Sequence, residues 1–210
     1  MKRILLIVSI VLIITSVPTT LFASTYLNNN SLTEAEITEK VMKIADKYDI
    51  GEKLSKNDQK LIESYLGENK TSSDFKVESK GAQLQEYISE SKYNNNGTIG
   101  VWVAGDMWQD IQNIVNQSYG GEITAYGVGV DGRDINRIDV EIRHVAFGPI
   151  GSGGTYIGLV YDDAISSSCN TYEFCKADGE VNYDAWVAYA SAQAIATVTY
   201  PSGSVTLATP

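Results

Sequence analysis

Ile37, Val41, Ile44 and Tyr48 follow one another at steps of three and four residues. That period lines one face of a helix with apolar side chains. Ser31 with Glu34 fits a capping box ahead of it, and Gly51 fits a stop. Ser55 with Asp58 marks a second start. Leu61, Ile62, Tyr65 and Leu66 supply the second stripe, and Gly67 ends it. The spacing predicts a helical hairpin over 31–67. Residues 31–70 carry seven lysines and nine acids of mixed order, which marks a solvated outer face.

Residues 68–97 are polar. They read as a linker with short elements, FKVES as a strand and AQLQEYISES as a strand or helix turn, closed by a turn at Asn94–Gly97. From Thr98 the period changes. TIGVWVAG reads as a strand. Asp106 caps a predicted helix, DMWQDIQNIVNQSYG, with Trp108, Ile111, Ile114 and Val115 on one side and Gly120-Gly121 as its end. EITAYGVGV and NRIDVEIRHVAF alternate at period two, and Asp131-Gly132 between them predicts a hairpin. TYIGLVYDDA is a further strand. In the stretch 185–200, alternation puts Trp186, Ala188, Ala190, Ala192, Ala194, Ala196, Val198 and Tyr200 on one side. The alanines favour helix, while the β-branched and aromatic residues favour strand. Strand is preferred, with its alanine row letting another layer approach closely. PSGS turns the chain and VTLA returns. The fold class is α+β, a helical hairpin followed by a mostly antiparallel sheet domain over 98–210 with one packed helix.

The chain opens MKRILLIVSIVLIITSVPTTLFAST. A basic start, an apolar run too short for a span and a small-residue exit read as a signal peptide over 1–23, followed by a polar lead-in over 24–30. Removing it leaves a chain with no later segment apolar enough to cross a bilayer, and a secreted, extracellular location is expected. The whole sequence carries a net charge of −10. Such acidity argues against nucleic acid and anionic lipid as partners. Cys169 and Cys175 are the sole cysteines. In an oxidising compartment they pair and shape the loop NTYEF.

Ser152 stands in FGPIGSGG. A serine nucleophile of the Gly-Asp-Ser-Gly-Gly kind needs an acid at 151, where Gly151 stands, and a distant histidine as base. The sole histidine, His144, lies eight residues upstream and in phase with Ile138, Val140 and Ile142. A glycine-permitted bend is the better reading. No Lys-Ser/Thr follows the glycines, so a phosphate loop fails. Asp131, Asp134 and Asp139, and separately Asp162-Asp163, are hairpin acids that only weakly resemble a calcium set. No catalytic residue, metal or cofactor is assigned. Most of the set formed by Trp102, Trp108, Trp186 and the tyrosines after residue 93 alternates in phase with apolar neighbours and is expected in the core. Asn170, Tyr172 and Phe174, inside the cysteine loop, are the exception and form the expected binding residues.

The expectation is a non-catalytic extracellular protein that recognises a protein or cell-envelope ligand through loop surfaces. A secreted protease inhibitor or pro-region-like partner is one alternative, a toxin-like effector another, and a Ser152 hydrolase the weakest.

Overall fold

Alternating apolar positions dominate the chain after residue 84, and they build eight antiparallel strands in two four-stranded sheets. The computed structural model describes residues 32–65, 84–111, 116–129, 135–170 and 173–209. The expected signal peptide and lead-in, and most of the polar stretch before 84, lie outside the described residues.

The first sheet has the order β1 (Leu84–Tyr93), β2 (Ile99–Asp110), β3 (Gln117–Gly129), β6 (Phe174–Tyr183). The second has the order β5 (Tyr156–Cys169), β4 (Arg137–Ile150), β7 (Tyr189–Tyr200), β8 (Gly203–Ala208). Their inner faces close one core. Val101, Val103, Met107, Ile123 and Ala125 come from the first sheet, and Ile138, Val140, Ile142, Ala194, Ala196 and Val198 from the second. The strand over 185–200 forms as β7, and its alanine row faces this core. At Gly121 the layers come so close that a Cβ would sit 3.0 Å from Ile142 Cδ1.

Two helices precede the sheets, α1 (Glu34–Ala45) and α2 (Lys56–Tyr65). The sequence SLTEAE offers two overlapping capping boxes, and Thr33 with Glu36 is the one used. Asp58 accepts from Ser55 Oγ and from the Tyr48 hydroxyl at 2.7 Å. Val41, Ile44, Leu54 and Ile62 pack on Val145, Phe147, Ile157 and Leu159, which lie on the outer face of the second sheet. Burying each such side chain contributes about 1.5–3 kcal/mol. Arg143 ties this layer down, donating from Nε and Nη2 to Asp162 and from Nη1 to Asp46 before α2. Gly51 and Leu54 donate backbone N–H groups to Leu159 and Ile157.

Two expectations are corrected. The packed helix expected over 106–120 is absent among the described residues, 112–115 lying outside them. Residues 106–110 continue β2 and 117–119 open β3, which pair as a hairpin. Gly105, the last residue of the expected strand TIGVWVAG, stands in the middle of a longer strand at φ +149°, where a Cβ would meet the Glu122 carbonyl at 2.0 Å. Ile99, Val101, Val103 and Met107 keep an inward phase through it, and that phase wins over the short helical spacing. The second correction concerns β3 and β4. They do not pair as a hairpin but belong to opposite sheets and face each other across the core. Each has an apolar inner face that needs a covering layer rather than a neighbour in its own sheet. Asp131-Gly132 lies outside the described residues.

Candidate functional site

The helices cover the outer face of the second sheet. On the first sheet, strand parity sends Val101, Val103, Ile123, Ala125, Cys175 and Ala177 inward, and their neighbours outward. Ser91, Trp102, Tyr126 and Phe174 are then directly opposite one another across four strands. The Trp102 and Tyr126 rings stack with centroids 4.8 Å apart and planes at 26°, and the Phe174 ring lies 6.1 Å beyond Tyr126. Trp102 Nε1 donates to Ser89 Oγ at 3.3 Å. Two strand glycines belong to the same face. A Cβ on Gly100 would strike the Tyr93 ring at 2.6 Å, and one on Gly120 the Trp108 ring at 2.8 Å. Both rings lie over bare backbone. Tyr87 and Phe174 keep 67% and 51% of their surface exposed, and Trp102 38%. Single exposed aromatics are ordinary, but a contiguous set is a mark of an interaction surface.

Four residues along the strands runs a second row, Tyr87–Asp106–Glu122–Asp178. Lys176 pairs with Glu122 at 2.8 Å and Asp178 at 3.2 Å. The Glu122 bond foremost raises the Lys176 pKa. Asp110 and Glu180 share the outward parity of this row. Five carboxylates therefore share the face with one described cation.

Cys169 and Cys175 form a disulfide with Cα atoms 5.6 Å apart. Cys169 ends β5 in the second sheet and Cys175 lies in β6 of the first, so the bond ties adjoining edges of the two sheets. Of the expected binding residues, Asn170 is exposed, Tyr172 lies outside the described residues, and Phe174 is the first residue of β6. Phe174 thus belongs to the aromatic row rather than to a free loop tip. Of the aromatics mostly expected in the core, Trp102 and Tyr126 are outward. The signal was present in VWV: Val101 and Val103 hold the inward phase, which forces the tryptophan between them to the other side.

Ser152 lies exposed in the turn between β4 and β5, where Gly151, Gly153 and Gly154 all adopt positive φ and Thr155 Oγ1 donates to the Ser152 carbonyl. His144 is fully buried, its Nε2 2.8 Å from the Tyr183 hydroxyl and its ring 4.6 Å from that of Tyr119. Tyr161 stacks on Tyr183 at 3.8 Å beside it. Burial pushes the His144 imidazole down to about 3. Burial foremost, then Tyr161, raises the Tyr119 phenol. The structure does not bring Ser152 and His144 together as nucleophile and base.

The acids are also accounted for. Burial pushes the Asp139 carboxyl up, but bonds from Ser168 and Arg137 outweigh it and leave it lowered. Asp162 is held by Arg143, and Asp163 accepts from the Ala164 N–H. Asp131 and Asp134 lie outside the described residues. Among the described residues no three His, Cys, Asp or Glu side chains are grouped to hold a metal ion.

Compared with known proteins, no family model matches this sequence, and no curated protein matches it.

Proposed function

We propose that this is an exported, non-catalytic recognition protein that binds an extracellular protein or cell-envelope ligand through the outer face of the first sheet. The observation that carries it is the Trp102–Tyr126–Phe174 row, aligned across three strands and covered by no helix among the described residues, while helices cover the opposite sheet. Trp and Tyr dominate binding energy because they remove large, rigid apolar area from water at low entropic expense. Strands hold the row in place, so little ordering is needed on binding. The Cys169–Cys175 bond fixes the Phe174 end of the row to the neighbouring sheet.

The test uses the whole exported protein against envelope preparations and extracellular protein from its own source. Trp102→Ala and Phe174→Ala should each weaken binding about thirtyfold, the equivalent of roughly 2 kcal/mol, with circular dichroism unchanged. Equal binding by a folded Trp102→Ala/Tyr126→Ala/Phe174→Ala variant would refute the assignment. Export predicts an N-terminus after Ala23 or Ser24 in protein recovered from the medium.

A further inference from the structure

Resting on that recognition face, we infer that its ligand is a cationic polypeptide segment, rich in Lys or Arg and lying extended across the strands. The aromatic row and the acidic row are four residues apart along each strand, about 13 Å at about 3.3 Å per residue. Between them runs the row Ser89–Ala104–Thr124–Lys176. Its first three side chains are small. A row of small side chains therefore lies between the rings on one side and the carboxylates on the other. One extended chain fits that width, placing alternate side chains toward the two rows.

The charge decides the partner. Asp106, Glu122 and Asp178 form the acidic row, and Lys176, held by two of them, closes its β6 end. A ligand cation exchanges water for these carboxylates. A guanidinium also stacks on an aromatic face. A second copy of this chain fits badly, because self-association of the face sets acids against acids. A neutral glycan fits less well too. It carries no charge to set against the Asp106, Glu122 and Asp178 carboxylates and so uses the aromatic row alone.

The experiment titrates the whole exported protein with a decamer of alternating Arg and Tyr, with a Glu/Tyr decamer, and with a neutral β-linked glucose hexamer, following tryptophan fluorescence and calorimetry. The Arg/Tyr peptide should bind, and added salt should weaken it. Asp106→Asn/Glu122→Gln/Asp178→Asn should weaken it at least tenfold, and so should Tyr126→Ala. Glu36→Gln/Glu39→Gln/Glu63→Gln, which removes the same charge from the helices, should leave it within twofold. An equal loss in the helix variant would reduce the effect to bulk charge and overturn the inference. Binding of the hexamer in place of the peptide, lost in Tyr126→Ala but not in the acid variant, would also overturn it while keeping the recognition face. No binding of any probe, together with wild-type envelope binding by the aromatic triple variant, would sink both.

Discussion

Lowering the pH should destabilise the fold through His144. The ring is fully buried. The titratable groups around it are the phenols of Tyr119 and Tyr183 from the first sheet and Tyr161 and Asp163 from β5. Asp163 is exposed, and Nδ1 meets no hydrogen-bond partner among the described residues. Burial holds the folded imidazole at about 3, against 6.5 for the ordinary group. A base with a depressed folded pKa gives stability that is complete above the unfolded pKa and lost as pH falls toward the folded one, because the unfolded chain takes the proton first. At pH 5 the unfolded state gains about thirtyfold in weight from this one site, which is about 2 kcal/mol at 1.36 kcal/mol per tenfold. The lowered carboxyls of Glu36, Asp58 and Asp139 lose stability as pH falls through the ordinary carboxylate range, so between pH 8 and 5 the histidine dominates. Urea unfolding at both pH values should show the loss in the native chain and not in His144→Gln. His144 is the sole histidine, so its imidazole signals in proton NMR are unambiguous. A folded-state titration near 6.5, or equal losses in the two proteins, would refute the reasoning.

Cys169→Ser should lower stability by about 2 kcal/mol on the chain-entropy account of a short closed loop, read as a fall in denaturation midpoint that reduction of the native protein reproduces. Gly148→Ala should destabilise by about 3 kcal/mol or prevent folding, since its Cβ would sit 1.7 Å from the Trp186 carbonyl; thermal melts alongside Gly179→Ala, whose Cβ would make only an ordinary contact with Ile165 at 3.5 Å, separate crowding from simple loss of glycine.

The strands were legible where alternation was strict. RIDVEIRHVAF and the 185–200 stretch both disclosed their inward residues, including His144, because the other layer rewards one phase only. The sequence failed at Gly105, which continues the strand it reads as ending, and at Gly120-Gly121, which reads as a helix end. Glycine ends helices, but here it makes room for a carbonyl, for a ring and for Ile142, and only the partner strand reveals which. Sheet membership was illegible for a related reason. A turn signal after β3 says the chain reverses, not whether it stays in the same sheet. The candidate face was half visible. Phe174 stood out beside a cysteine, whereas alternation with apolar neighbours reads most of the Trp and Tyr residues as core, and Trp102 and Tyr126 occupy the opposite phase.

The helix layer sets a schedule for synthesis. Val41, Leu54 and Ile62 are made long before Val145, Phe147, Ile157 and Leu159, the surface they cover. At roughly 5–20 residues per second, the hundred or so residues between Leu54 and its backbone acceptor Ile157 take about 5–20 s to appear. For that interval the apolar stripes of both helices have no sheet to rest on, and isolated helices of this length are marginal in water. The emerging chain is therefore most vulnerable to aggregation before β4 and β5 are complete. A truncation ending at residue 136 should need a chaperone that the full chain does not.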